Sequence, residues 1–194
     1  MNTSTIQIGL PFMTELERNI VQGCLRGEKS FQKQLYTQYS QKMYAVCLRY
    51  SQDPDQAKDF LQEGFIRVFQ NLTSFKGEGS FEGWVRRIMI NGCLEALRKP
   101  ENKVYHEELE AYESELSYQP SLQKLDVKFV LNKIQELAPG YRAVFNLYVI
   151  EGYQHQEIAD MLGISESTSK SQLSRARKLL QEALSGEFSN THEH

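Results

Sequence analysis

The sequence predicts an all-α chain made of two small helical domains joined by a flexible linker. Three observations carry this expectation. Apolar residues recur at helical spacing almost throughout, no segment sustains the period-two alternation of a strand, and the composition changes abruptly between Pro100 and Leu125. The 194 residues suffice for one ordinary domain or two small ones, and 40% hydrophobic with 24% charged residues is an ordinary soluble balance.

The first block spans residues 14–99. Phe31, Leu35, Tyr39, Met43, Val46 and Tyr50 form one apolar stripe, which predicts the first helix named by periodicity. Asp53–Pro54 supplies a capping residue and a first-turn proline for the next helix, where Leu61, Phe65, Val68, Phe69 and Leu72 line one face. The glycines of Phe75-Lys-Gly-Glu-Gly-Ser80 predict a loop. A third helix then opens near Ser80, with Trp84, Val85, Ile88, Met89, Cys93, Ala96 and Leu97 inward. Lys99-Pro100 ends it, because proline disfavours helix in the residue before it.

Residues 100–125 contain six glutamates (101, 107, 108, 110, 113 and 115) against Lys103 and Lys124, with two prolines. This predicts a flexible acidic linker, with a short solvated helix over Glu107 to Glu115 as the alternative. The second block spans 126–184. Val127, Val130, Leu131, Ile134 and Leu137 predict a helix broken by Pro139-Gly140, and Tyr141, Val144, Phe145 and Tyr148 predict another, closed by Gly152. The tail from Ser185 to His194 is polar and expected to fray.

Several classes of function are disfavoured. The longest apolar stretch, Ala143 to Ile150, is interrupted by Asn146 and far too short for a bilayer, and the N-terminus lacks the pattern of a secretory signal, so a cytoplasmic chain is expected. The three cysteines (Cys24, Cys47 and Cys93) are widely spaced on apolar helix faces, which predicts buried thiols rather than zinc or disulfides. His155 and Glu157 are two apart on a helix and converge poorly, and His192-Glu-His194 lies in a polar tail. No phosphate loop or nucleophile elbow stands out, so neither enzymatic chemistry, cofactor nor metal is expected. A net charge of −3 means that any nucleic-acid binding must come from a local basic surface.

One such surface is legible. Tyr153 to Ser165 reads as a helix and a sharp turn: Ile158, Ala159 and Leu162 face inward, Gly163 supplies a left-handed residue, Ile164 plugs the angle and Ser165 caps the next helix. That helix packs through Leu173, Ala176, Leu180 and Ala183. Its other faces carry Ser167, Thr168, Lys170, Ser171, Gln172, Ser174, Arg175, Arg177 and Lys178. Cations for phosphate and guanine, mixed with short hydrogen-bonding groups, suit a helix lying in a major groove. A helical hairpin with a solvated basic end is the alternative.

The segment from Gln156 to Leu180 resembles region four of extracytoplasmic-function (ECF) sigma factors of the sigma-70 family. The resemblance implies recognition of the upstream promoter element by Lys170, Ser171, Ser174 and Arg175, with Arg177 and Lys178 near the backbone. One departure is Ser169, where many members carry valine, and it falls toward the packing side. Asp55 to Phe69 resembles the region 2.2 helix, which implies docking on the beta-prime clamp of core RNA polymerase through Asp55, Asp59, Gln62 and Glu63. Phe81 to Lys99 resembles regions 2.3 and 2.4, which open the downstream element. Arg87, Asn91 and Arg98 would share its outward face, beside a base-capturing loop at 71–80 that includes Phe75 and Lys76. Phe75 reads better as a core anchor than as a base-stacking group, and Trp84 likewise reads as core.

The resemblance thus implies a dissociable polymerase subunit with no cofactor, whose partners are core RNA polymerase (beta-prime clamp and beta flap), promoter DNA and an anti-sigma factor. It implies no direct membrane insertion. A stand-alone helix-turn-helix regulator is the second reading. In the family the linker runs toward the active-site channel and RNA exit path, so its clustered glutamates suggest mimicry of nucleic-acid charge. Replacing all six with glutamine is expected to alter polymerase binding or promoter escape, and in vitro transcription unchanged in both respects would remove that idea.

Overall fold

A computed structural model of the chain describes residues 13–98 and 127–190; the expected linker and its glutamates lie outside the described residues. Eight α-helices account for nearly all of what is described: α1 Glu15–Leu25, α2 Lys29–Tyr50, α3 Pro54–Gln70, α4 Phe81–Arg98, α5 Val127–Glu136, α6 Pro139–Phe145, α7 His155–Leu162 and α8 Glu166–Asn190. Among the described residues none is in a strand, so the all-α expectation agrees with the structure. The chain divides into two compact units. Residues 13–47 and 55–92 form the first, and 48–54, 93–98 and 127–190 the second.

Helix α1 is absent from the elements expected above, although it buries Ile20, Val21 and Cys24 on one side and exposes Leu16 and Leu25. Its start is nevertheless written locally. Thr14 Oγ1 accepts from the Glu17 N–H at 3.1 Å, and Glu17 Oε2 accepts from the Thr14 N–H at 2.8 Å, a reciprocal capping box. The other carboxylate oxygen of Glu17 accepts from Tyr39 Oη at 2.6 Å, tying α1 to α2. The close approach of α1 to the start of α2 also needs Gly23, since a Cβ there would run into the Phe31 ring.

The core of the first unit follows the predicted stripes. Leu35, Tyr39, Met43 and Val46 of α2, Leu61, Phe65 and Val68 of α3, and Val85, Met89 and Ile90 of α4 are all buried. Gly64 lets Met89 approach α3, where a Cβ would collide with its sulfur. After α3, Leu72–Ser74 forms a 3-10 turn, and the loop that follows uses positive φ at Gly77 (77°) and Gly79 (95°). Ser80 Oγ accepts from the Gly83 N–H at 3.1 Å and so starts α4.

In the second unit, Ile134 of α5 and Leu137 just after it pack with Ala176 and Leu180 of α8, against the half-buried Val130, Tyr141 and Phe145. Pro139 begins α6 rather than only ending α5, and the buried Arg142 donates to the Gln135 carbonyl at 2.7 Å. Asn146–Ile150 is a π-helical turn, in which the Glu151 N–H reaches the Asn146 carbonyl at 3.0 Å. Gly152, at φ 79°, ends it. Helix α8 runs to Asn190 rather than stopping near Leu184 as expected. No proline interrupts it, and Ser185 Oγ bonds back to the Gln181 carbonyl.

Two measurements test this account. Burial raises the Glu17 pKa, but the bonds from Tyr39 and Thr14 and the charge of Lys42 outweigh it, leaving the carboxyl below its ordinary 4.5. A depressed folded value means the stabilisation is fully present above pH 4.5 and is lost as pH falls through the folded value. Glu17→Gln is therefore expected to cost about 1 kcal/mol at neutral pH, a modest figure because the group is partly solvated, with the gap to wild type narrowing in acid. At Gly163, φ is 69° and nothing lies within 4 Å of a built Cβ, so only backbone strain opposes a side chain. Gly163→Ala is expected to cost about 1 kcal/mol and Gly163→Asn less, read from denaturation of the full chain followed at the α7 and α8 amides.

Candidate nucleic-acid interface

Helices α7 and α8 meet through a turn whose geometry the residues dictate. Ile158, Ala159 and Leu162 of α7 are buried, and Gly163 closes α7 in the left-handed conformation, its N–H donating to the Ala159 carbonyl at 2.8 Å. Ser165 then caps α8, with Oγ accepting from the Thr168 N–H at 3.0 Å. Its hydroxyl also lies 2.8 Å from Ser167 Oγ and 2.7 Å from Thr168 Oγ1. Two of the hydroxyls expected to face DNA thus already serve the helix start, and each keeps spare hydrogen-bonding capacity.

Along α8, Ser167, Lys170, Ser174, Arg175, Arg177 and Lys178 are exposed, while Thr168 and Ser171 are half-buried. Ser171 Oγ donates to the Thr168 carbonyl at 3.0 Å. Lys170 pairs with Glu166 at 2.7 Å, and that bond holds the Glu166 carboxyl below its ordinary value. Arg177 stands over the Tyr148 ring, 5.6 Å from its centroid. Gln172 departs from expectation: it is 8% exposed, and its Oε1 is buried without a hydrogen-bond partner. Its place one turn before the buried Ala176 puts it on the packing stripe, so it is corrected from a DNA-facing residue to an inward one.

Ser169 is fully buried, as its packing-side position implied, and its hydroxyl lies 2.9 Å from Nδ1 of His155. The imidazole stacks on Tyr148 with centroids 4.5 Å apart and planes 25° from parallel. Burial lowers the His155 pKa, Lys170 and Arg177 push it the same way, and Glu166 opposes them. From the sequence, His155 is considered only beside Glu157, as a catalytic pair; its pairing with Ser169 joins two helices and carries no mark in either one's periodicity.

In the first unit, Asp55, Asp59, Gln62 and Glu63 are all exposed along α3. Asp55 bonds Lys58 at 2.8 Å, which lowers the Asp55 pKa and raises that of Lys58. Lys76, Arg87, Asn91 and Arg98 are exposed. Phe75 is not: at 5% exposure its ring packs 5.2 Å from Phe81 and 5.4 Å from Trp84, which agrees with the core-anchoring reading and removes Phe75 from the base-stacking candidates. Trp84 is half-buried in the same cluster, stacked on Phe81 at 5.6 Å. Cys24, Cys47 and Cys93 are buried, and none is in a disulfide. Among the described residues no helix is long and apolar enough to cross a membrane, and no group of three His, Cys, Asp or Glu side chains could hold a metal ion.

Comparison with known proteins matches both halves of the chain. The family model for sigma-70 region 2 matches residues 35–103 and that for sigma-70 region 4 matches 130–180, together more than half of the chain. The RNA polymerase sigma-H factor of Pseudomonas aeruginosa is 27% identical over 182 residues, which cover 88% of this chain and 94% of that protein. The ECF RNA polymerase sigma factor SigE of Mycolicibacterium smegmatis is 30% identical over 167 residues, covering 81% and 63%. In fold, the chain is similar to the sigma factor RpoE solved in complex with the anti-sigma factor NepR from Bartonella quintana, with a TM-score of 0.51 and 24% identity over 79% of this chain and 96% of that one. A stand-alone helix-turn-helix regulator would account for the second match and not the first. With regions 2 and 4 matched in family order, the chain belongs to the sigma-70 family, as an ECF RNA polymerase sigma factor.

Proposed function

We propose that this sigma factor assigns its tasks to three surfaces. The acidic strip of α3 (Asp55, Asp59, Gln62 and Glu63) docks on the beta-prime clamp of core RNA polymerase. The loop before α4 with Lys76, and the exposed Arg87, Asn91 and Arg98, follow the downstream element. Helix α8 reads the upstream element through Lys170, Ser171, Ser174 and Arg175, with Arg177 and Lys178 on phosphates. Residues 14–99 and 126–184 are the corresponding functional units, joined by the acidic segment at 100–125. The chain contributes no catalysis; the polymerase makes the RNA, in the cytoplasm. Contact with the beta flap and control by an anti-sigma factor complete the set of proposed partners.

The observation that carries this reading is the cationic face of α8. In a chain of net charge −3, it presents Lys170, Arg175, Arg177 and Lys178 to solvent on the second helix of a helix-turn-helix. Cations so placed neutralise phosphates and release counterions, while Ser171 and Ser174 among them are short enough to address base edges.

The test uses the purified full chain with bacterial core RNA polymerase. Wild type is expected to co-elute with the enzyme on a sizing column and to direct transcription from selected fragments. Asp59→Lys with Glu63→Lys is expected to lose co-elution while keeping upstream-duplex binding. Lys170→Ala and Arg175→Ala are each expected to weaken that duplex binding by about ten-fold and to reduce its salt slope by about one. Co-elution that survives both α3 substitutions would overturn the α3 assignment, and duplex binding indifferent to Lys170 and Arg175 would overturn that of α8.

A further inference from the structure

Helix α8 is held at two points by one pair of stacked rings. The first is Ser169, whose fully buried hydroxyl meets His155 Nδ1 at 2.9 Å. The second is Arg177, whose guanidinium lies over Tyr148, the ring on which His155 is stacked. The two residues are eight apart, about 12 Å along the helix axis. Hydrophobic packing through Leu173, Ala176 and Leu180 holds α8 down but tolerates small rolls about its axis. A directional hydrogen bond at one end of the packed stretch and a ring contact near the other oppose such a roll.

We infer that His155 is a positioning residue for promoter recognition, which holds Ser169 and thereby sets the rotation at which Lys170, Ser174 and Arg175 are presented to DNA. This rests on the reading of α8 as the upstream-element helix. His155 need not touch DNA to act, because Ser169 immediately precedes Lys170 and a roll of α8 carries both. The hydroxyl at 169 and the ring nitrogen at 155 form a matched pair. With either one made apolar, the other is left facing a group that offers no hydrogen bond.

A double-mutant cycle tests this on the full chain. The probes are an upstream duplex selected from a randomised library by the holoenzyme, and the same duplex with its upstream element scrambled. The readout is the ratio of the two affinities, which is insensitive to the folded fraction because both affinities scale with it alike. His155→Phe keeps a ring on Tyr148 and removes the nitrogen; Ser169→Val removes the hydroxyl. Each is expected to lower discrimination by about five-fold, the worth of one buried hydrogen bond, and the double variant to lose no more than either single one. His155→Asn, which returns a polar atom near the Nδ1 position without the ring stack, is expected to recover part of the loss.

Additive losses, or lowered thermal stability with unchanged discrimination, would overturn the inference and leave the pair a packing feature. Lys170→Ala and Arg175→Ala in the same assay separate the two failures. If they lower discrimination while the cycle is additive, only the role of His155 falls. If they leave discrimination untouched, the reading of α8 falls and the role of His155 with it.

Discussion

The left-handed conformation of Gly163 is the constraint on which the DNA-reading half of the molecule depends. A residue with a Cβ resists φ of 69°, yet without that value α7 could not stop at Leu162 and α8 could not start three residues after Gly163. Everything downstream inherits this geometry. Ser165 can cap α8 only because the chain has turned, and the buried faces of α7 and α8 can meet only at the resulting crossing. The exposed cations of α8 are then presented on the side away from that packing. One dihedral angle in an otherwise regular chain thus decides which residues become interior and which become interface.

The first unit solves a different problem. The polar face of α3 is exposed, and its apolar residues are confined to the other side. Phe65 packs against Tyr36 with centroids 4.7 Å apart, and Phe75, Phe81 and Trp84 form a cluster under the glycine loop. These rings make the loop before α4 a rigidly anchored element rather than a loose one, since Phe75 plugs it into the core at its midpoint. Within a net charge of −3, α3 exposes Asp55, Asp59 and Glu63 beside Lys58, and α8 exposes Lys170, Arg175, Arg177 and Lys178.

Much of the fold was legible because helices that pack on one side write their burial as a 3.6-residue rhythm. Leu35, Tyr39, Met43 and Val46 are an example, and the Gly163–Ser165 turn adds residue types with few alternative uses. Where that rhythm is diluted, the reading fell short. Helix α1 sets exposed Leu16 and Leu25 beside buried Ile20, Val21 and Cys24, which blurs its stripe, and its capping box marks its start. The π-helical turn at 146–150 has no compositional mark, since it arises from how α6 meets the residues after it. The site residues divide on the same principle. Lys170 and Arg175 are charged and solvent-facing wherever the helix goes, whereas Gln172 and Phe75 could each have served either side, and their tertiary neighbours decided. Gln172 was recoverable in principle from its spacing to Ser169 and Ala176; Phe75 already read better as a core anchor, and Phe81 and Trp84 close over it. The partnership of Ser169 with His155 joins two elements and is invisible to any one-helix periodicity.

The burial of the three thiols has a consequence for their reactivity. Cys24, Cys47 and Cys93 are all enclosed, and burial pushes the Cys24 thiol up to about 11, so little of it is thiolate at neutral pH. Oxidants attack the thiolate at accessible sites. Mild oxidants therefore find the three thiols shielded in the folded chain. The same enclosure makes the native cysteines silent toward alkylating dyes, so a single thiol placed on the surface would report on the protein without a cysteine-free background.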